Sequence, residues 1–504
     1  MVSTVENVRR LSHRLLSLST IWTLIVPAGL FVLLARTVVF PNDYWWHMRT
    51  GQIILQEGYI PTTDRFSFTR YGAPWVNQAW LMQVFFYIVY TLGGLPWTIL
   101  AHALIITTGY VLLLRAIVPK AGIRPAVLAT AVGAGVGAFS WGVRPQSISF
   151  LLFGILVTLI EHHRRGQERA LWGTIPLFLL WANAHGGFVF GIAVMGVYVL
   201  GQIYTCWRER ALRKSVLLSC TGLLPFIGAL LALSVNPQGP LGLIRYVLGF
   251  LTSKVTVAAN MEFSPINIRQ GDGLVFWGSA LLFLFALLRS DYRPTLDQSV
   301  TLLLFAGLTL WARRISPWYG FVLIPPLAAA IAAWWHPPET IPPGKPALNA
   351  LIIGFLLLAM FLSLPWWRGR IPYPLAPRSF VSATTPVQAT RVLCENAPED
   401  ARVYQYQAFG AYQIWACPRL KVFVDTRIEL YTADIWRDYF KIEAGRFDWQ
   451  DVADRYRLTH LFLSPDVQRD AIDAAQASDC WQPFYGDAHA VIFVRTCPST
   501  QATP

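Results

Sequence analysis

Charge is scarce in this chain. Only 14% of its 504 residues are Asp, Glu, Lys or Arg, while 54% are hydrophobic and the mean hydropathy is +0.43. That balance is too apolar for an ordinary soluble globular chain. Cysteine is scarce as well: there are six, with no His/Cys cluster at ligand spacing and no Asp-x-Asp pair in the loops that follow apolar runs. The sequence therefore indicates no metal and no other cofactor. No internal repeat is visible, which argues against a transporter built from duplicated halves. No cleavable leader is expected either. The first apolar run, Ile21 to Phe40, is long enough to span a bilayer and no small-x-small site follows it.

What is present is a succession of apolar runs of roughly 15–22 residues from Ile21 to about Trp367, the length a helix needs to cross a membrane. After Arg368 the pattern becomes mixed and periodic. The expected fold class is a polytopic α-helical membrane protein of about 11–13 spans, occupying residues 1–367, with a soluble C-terminal α/β domain over 368–504.

The net charge is +13, from 41 Lys+Arg against 28 Asp+Glu. These cations do not gather on one soluble face, so nucleic acid is not the expected partner. They fill short loops: Arg9, Arg10 and Arg14; Lys120 and Arg124; Arg164, Arg165 and Arg169; Arg208, Arg210, Arg213 and Lys214; Arg289 and Arg293. The positive-inside rule places such loops and the N-terminus in the cytoplasm. Eleven helices are then expected near 21–40, 96–117, 125–142, 146–161, 170–184, 187–206, 215–235, 273–289, 295–311, 317–335 and 347–367. The apolar stretch Ala79 to Tyr90, at about a dozen residues, is too short to cross and is expected as a juxtamembrane helix.

This arrangement puts the unusual polar motifs on one face: Asn42-Asp43, Arg144-Pro145-Gln146, Asn183-Ala184-His185-Gly186-Gly187, Asn236-Pro237-Gln238-Gly239, Glu262-Phe263 and Arg313-Arg314. Polar groups at helix ends in so apolar a chain are costly and mark a functional site. Each has a structural alternative. The arginines can snorkel to headgroups, Asn-Pro-x-Gly ends a helix, His185 can serve as an interhelical hydrogen-bonding group, and Asp43 can pair with Arg49 or His47.

The first outer loop, residues 41–95, begins PNDYWWHMRTGQIILQEGYIPTTDRFSFTRYGAPWVNQAWL. An acid directly follows the first span. Then come an amphipathic helix through Trp45, Trp46 and Gly51 to Leu55, a stop at Gly58, Pro61, a second acid at Asp64 and a Gly72-Ala73-Pro74 turn. Over about fifty residues this resembles the first external loop of GT-C glycosyltransferases, particularly aminoarabinose transferases and protein O-mannosyltransferases. Their loop also opens on an acid, continues into a juxtamembrane helix and breaks at a G-x-x-x-P. Asp43-Tyr44 stands where those relatives usually carry Asp-Glu, and Asn77-Gln78-Ala79-Trp80-Leu81 where they carry Lys-Pro-Pro-Leu.

The resemblance implies an integral membrane enzyme that moves a sugar from a polyprenyl-phosphate donor to a glycan, lipid or protein acceptor at the outer face of a bacterial inner membrane. Such chemistry needs a carboxylate as general base, here Asp43, with Asp64 as a second. His185 completes the catalytic set as a proton donor or carrier. Substrate binding falls to His47, Arg144, Gln146, Asn183, Glu262, Arg313, Arg314, Asp425 and Arg427, because a planar guanidinium suits phosphate oxygens. Membrane lipids and the lipid-linked donor are the expected partners. A catalytically silent scaffold of the same fold is the alternative reading.

In the C-terminal domain, strands are expected over 402–406, 421–425, 460–463 and 490–495, and helices over 434–444, 449–456 and 467–477. Asp425 and Arg427 follow the second strand, a usual position for functional groups, though the pair can equally pin a loop. Gly410 to Trp415 offers a further recognition surface. Of the four cysteines here, Cys480 and Cys497 flank a hairpin around Gly486-Asp487 and are expected to pair, leaving Cys394 with Cys417; four cysteines allow three pairings.

Overall fold

The computed structural model describes residues 16–208, 222–243, 245, 263–336, 344–371 and 378–498. The helices come in the order α1 (Leu18–Ala35), α2 (Tyr44–Glu57), α3 (Trp80–Ala121), α4 (Ile123–Gly137), α5 (Ser147–Arg164), α6 (Thr174–Ala184), α7 (Phe188–Arg208), α8 (Leu223–Ala232), α9 (Gly271–Leu288), α10 (Leu296–Trp311), α11 (Ser316–Trp335) and α12 (Pro346–Ser363). Every apolar run of the sequence carries a helix where it is described. Seven stretches among the described residues, those of α1, α3, α4, α7, α9, α11 and α12, are long and apolar enough to cross a membrane; α8 and α10 are shorter apolar helices. The chain is a multi-pass membrane protein.

The bundle closes around α11, the most enclosed of these helices. It crosses α4 where two glycines meet: a Cβ on Gly133 would lie 2.5 Å from the Gly320 carbonyl oxygen, and one on Gly320 would lie 2.3 Å from that of Gly133. With lipid outside, close backbone approach and the dispersion it brings hold such helices together. Helix α3 breaks at Gly93 and Gly94, the latter at φ 69°. Residues 95–121 enter the bundle core with Ala103, Ile106, Tyr110 and Leu113. Residues 80–92 instead lie along α2, burying Met82 and Phe86 against Tyr44, Trp45 and Met48. The break sets residues 80–92 apart as a separate helical arm, and its cause is in the sequence: glycine tolerates the left-handed conformation.

The C-terminal region contains α13 (Val387–Asn396), β1 (Val403–Gln405), α14 (Gln407–Ala416), α15 (Ala433–Glu443), α16 (Trp449–Arg455), β2 (His460–Leu463), α17 (Arg469–Gln476), β3 (Trp481–Gly486) and β4 (Val491–Arg495). The sheet order is β1-β2-β4-β3, with β1 and β2 parallel and the other pairs antiparallel. Disulfides join Cys394 to Cys417 and Cys480 to Cys497, the pairing the hairpin suggested.

Two expectations are corrected. The stretch 421–425 is not a regular strand. Val422 makes isolated bridges to Val403 of β1 on one side and to Ser67 on the other, so the segment links its own sheet to the first loop. Gly410 to Trp415 is no open surface either. It lies in α14, whose Tyr412 and Trp415 pack on Trp45 of α2 at ring distances of 4.9 and 6.5 Å.

Candidate active site

The site is assembled at the head of α2. Its cap residue is Asp43, placed by a short connection that is itself fixed: Arg368 donates to the carbonyls of Ala35 and Thr37 at 2.9 and 2.7 Å, and Val39 bridges Val381. Along α2, Gly51 lets the backbone of residue 83 approach so closely that a Cβ would lie 2.1 Å from its carbonyl oxygen. This contact sets Gln83 against His47. The Gln83 amide donates to His47 Nδ1 at 3.0 Å and exchanges hydrogen bonds with Asn77 at 2.7 and 2.9 Å. An imidazole that accepts at Nδ1 carries its proton on Nε2 when neutral. Burial holds His47 neutral, pushing its pKa well below the usual histidine value, with His185, Arg427 and Arg144 adding to the effect.

Arg144 is the hub. One guanidinium nitrogen lies 3.9 Å from the Asp43 carboxylate, and its charge acts on both His47 and His185. His185, just beyond α6, accepts from the Gly187 N–H at 3.0 Å and lies 2.8 Å from Ser149 Oγ. Trp181 donates to that same oxygen at 2.8 Å, which leaves the serine proton for His185 Nδ1. Burial first, then Arg314 and Arg144, push the His185 pKa down to about 3. His185 is thus a neutral donor through Nε2 near neutral pH. The structure brings Asp43, His47, Arg144, His185 and Arg314 into one electrostatic neighbourhood.

Other predicted residues fall elsewhere. Arg313 turns to Asp272 at 3.0 Å and Gln270 at 3.3 Å, whereas Arg314 lies over the Phe263 ring at 4.7 Å. Asn183 has no hydrogen-bonding capacity to spare: it donates to Leu179 and Val235 carbonyls at 2.9 and 2.8 Å, and accepts from Trp80 and Asn236 at 3.0 and 3.4 Å. It ties α6 to the start of α3 and the end of α8. Gln146 is buried at the cap of α5. Glu262 lies outside the described residues.

Asp64, Asp425 and Arg427 form a closed clasp. The Arg427 guanidinium contacts Asp64 at 2.8 Å and Asp425 at 2.6 and 2.9 Å, and neither it nor Asp64 nor Asp425 has an exposed side chain. Tyr431 donates to Asp425 at 2.6 Å, and Phe66 and Trp75 flank the guanidinium at 4.9 and 4.8 Å. Burial opposes the arginine's charge, but Asp425 above all secures it. A group so enclosed is not one a substrate reaches. The expectation of Asp64 as a second base and of Asp425 and Arg427 as substrate ligands gives way to a buried joint between first loop and C-terminal domain. The joint is reinforced where Phe68 and Val422 exchange backbone hydrogen bonds with their neighbours, Phe68 N to Val422 O and Val422 N to Phe66 O, both at 3.0 Å.

The sequence pattern gave no sign of one residue. Glu429, in the single helical turn Ile428–Leu430, is exposed while Ile428 and Leu430 are buried. Protein nevertheless surrounds it, and that enclosure, followed by the nearby Asp43 carboxylate, raises its pKa to about 7 against the pull of its own N–H and Arg427.

These features define a class. The chain is a multi-pass helical bundle whose first loop packs on its C-terminal region, a fold that it shares with several solved structures. Its likeness to solved structures extends over nearly the whole chain. It matches ArnT from Cupriavidus metallidurans bound to undecaprenyl phosphate at a TM-score of 0.51 and 14% identity, covering 96% of this chain and 99% of that one. The archaeal oligosaccharyltransferase AglB from Archaeoglobus fulgidus, in complex with an inhibitory peptide and a dolichol-phosphate, matches at 0.57 and 11% identity, over 94% and 74%. Mycobacterial arabinofuranosyltransferase AftD matches at 0.52 and 15% identity, over 95% of this chain and 42% of that one. Neither a family model nor a curated protein matches the chain in sequence.

Proposed function

We propose that this protein is a glycosyltransferase that moves a sugar from a polyprenyl-phosphate carrier to an acceptor hydroxyl at the outer face of a bacterial inner membrane, with Asp43 as general base. The observation that carries the reading is Asp43 held 3.9 Å from Arg144 at the head of α2, in a fold shared with proteins bound to undecaprenyl or dolichol phosphate. The acceptor oxygen forms a bond to the anomeric carbon. The bond from that carbon to the phosphate oxygen breaks, its electron pair stays with the departing polyprenyl phosphate, and the hydroxyl proton goes to Asp43. Arg144 and Arg314 offset the charge that gathers on the phosphate, and His185 donates to it through Nε2. An apolar groove of about 600 Å³ beside the site, lined by Trp80, Leu81, Pro176, Leu180 and Val235, suits the lipid tail.

In this reading residues 1–367 form the membrane domain, 41–95 its first outer loop and 368–504 an outer domain. The basic loops support a cytoplasmic N-terminus. Two disulfides in the C-terminal region support an oxidising compartment for that domain.

The test is an assay of sugar transfer from polyprenyl-phosphate sugars extracted from membranes, using the purified protein and Asp43→Asn. Removing a general base costs about 10²- to 10⁴-fold in rate. Unchanged transfer by the variant would remove Asp43 as the base. Absence of transfer by the unmutated protein would favour a silent scaffold, a reading to which the fully buried Tyr44 in place of a second acid lends weight.

A further inference from the structure

One face of the C-terminal sheet is only partly covered. Register sets Phe462 of β2 beside Ile492 of β4, and in the next row on the same face His460 beside Val494 and Val494 beside Gln482 of β3. Helix α13 packs Ala389 and Leu393 onto the Phe462 and Ile492 row and ends at Asn396. The row of His460, Val494 and Gln482 is left as the floor of a groove of about 720 Å³, whose lining also takes in Asn396 and Phe484. None of these residues belongs to the site at the head of α2.

Two backbone irregularities serve this groove. Strand β3 pairs with β4 as far as Pro483, opposite Phe493, and resumes at Tyr485, opposite Ile492. Phe484 is the extra residue of the bulge, and its ring stands 46% exposed in the groove lining; re-aiming a side chain is a common use of a bulge. Arg457 follows the last turn of α16 at φ 51°, a position usually left to glycine, and its side chain joins the same lining. The disulfide from Cys480 to Cys497 ties the start of β3 to the end of β4 and so fixes the floor.

The groove also holds hydrogen-bonding capacity that the protein does not use. Arg402 N–H donates to Thr459 Oγ1 at 3.0 Å, and that oxygen lies 2.8 Å from His460 Nδ1. The Arg402 carbonyl, 3.3 Å from the hydroxyl, already accepts from the Thr459 N–H at 2.9 Å, so the hydroxyl donates to Nδ1. Burial lowers the pKa of His460, and the neutral ring carries its proton on Nε2. No hydrogen bond among the described residues takes up that Nε2 or the Gln482 amide. Arg495 pairs with Asp454 and donates through Nε to the Cys497 carbonyl at 3.1 Å, while one terminal nitrogen of its guanidinium is buried without a partner.

We propose that this groove is a saccharide-binding site, in which the Phe484 ring packs on the C–H face of a sugar and Gln482, Asn396 and His460 Nε2 meet its hydroxyls. A hydroxyl both donates and accepts, which suits a wall of amides and a neutral imidazole. A cation finds no acid in the lining, and Asp454 already offsets the charge of Arg495. An apolar ligand would leave the imidazole and guanidinium N–H groups unpaired. A peptide strand added to the edge of β3 would meet Pro483, which has no N–H, and then the bulge. The site stands whatever the chemistry at Asp43.

The experiment uses the full-length protein in detergent on an array of oligosaccharides built from hexoses, pentoses, amino sugars and uronates, followed by isothermal titration with the best-bound saccharide. Binding is read without transfer, so a protein that transfers nothing can still bear out the site. Phe484→Ala should weaken binding about tenfold or more, as loss of an aromatic anchor does, and Gln482→Ala should weaken it too. Phe484→Trp should keep it, which separates a lost stacking face from a damaged fold. Melting curves of all three should match the unmutated protein, since both side chains are exposed. An array on which no saccharide is held overturns the proposal. So does a bound saccharide indifferent to Phe484→Ala and Gln482→Ala, or an unstructured peptide that binds these residues where saccharides do not.

Discussion

Arg427 and Asp64 lie 2.8 Å apart with neither side chain exposed, one in the C-terminal domain and the other in the first loop. Because the pair is desolvated on both sides, removing one partner strands a buried charge. Asp64→Asn or Arg427→Met should cost about 3–5 kcal/mol. Arg427→Lys should fail almost as badly, since an ammonium cannot reach both carboxylates as a fork does. Thermal melting and protease nicking of the detergent-solubilised protein would show it, with cleavage appearing between the bundle and the C-terminal domain. A melting point unchanged in Asp64→Asn would mean the clasp holds nothing.

Arg144 stands next to Asp43 and its charge acts on both His47 and His185, which makes it the guanidinium most committed to the site. Arg144→Lys should weaken binding of undecaprenyl phosphate by roughly tenfold or more, in line with about 1.5–3 kcal/mol for a charge-assisted hydrogen bond. Isothermal titration or lipid pull-down in detergent measures this. Equal binding by the variant would move phosphate recognition elsewhere.

The two histidines also set an acid limit. In the unfolded chain both take up protons as pH falls through about 6.5, whereas burial keeps them neutral in the fold, His185 down to about 3. Between those values the unfolded state binds more protons, so stability declines as pH drops below 6.5. His47→Gln with His185→Gln should flatten that decline relative to the unmutated protein in melting curves taken from about pH 7 to about pH 4. A parallel decline in both would reject the assignment.

The disulfides close loops of 23 and 17 residues. Loops of that size correspond to about 3 kcal/mol each on chain-entropy grounds. Replacing Cys480 and Cys497 by serine should lower the unfolding midpoint of the C-terminal region, read by its tryptophan fluorescence, and reductant should do the same to the unmutated protein.

Gly51→Ala would drive a methyl group into the residue 83 carbonyl, 2.1 Å away. The helices must then part, pulling Gln83 off His47. We expect lost expression or a melting point lowered by several degrees, consistent with about 1–3 kcal/mol for overpacking. Gly58→Ala, with open space around it but a φ of 74°, is the control for strain without a clash.

Much of the fold was legible because its causes are local or compositional. Apolar length marks the helices, Gly93-Gly94 marks the break in α3, and a short continuous apolar run marks 460–463, which is β2 to the residue. Asp43, Arg144 and His185 were also visible, each being a polar residue at the end of an apolar run. What escaped depends on distant partners. Val422 looks like a strand residue, yet its pairing with Ser67 requires a segment far back in the chain. Asp64 and Arg427 look like functional groups for the same reason that they are structural ones: both are charges among apolar neighbours, and only their mutual burial shows that each satisfies the other.

The hydrogen bond from Trp46 to Thr426 joins positions 380 apart in sequence. Synthesis runs from the N-terminus, so the first loop emerges early and waits, unpaired, while nearly the whole bundle is made. Contacts of such separation form late and slowly. An incomplete chain therefore carries the first loop without the C-terminal segment that Trp46 and Asp64 bind. Completion of the joint becomes a check on completion of the polypeptide, and a chain cut short before Asp425 leaves Asp64 without the partner that buries it, however well its helices insert.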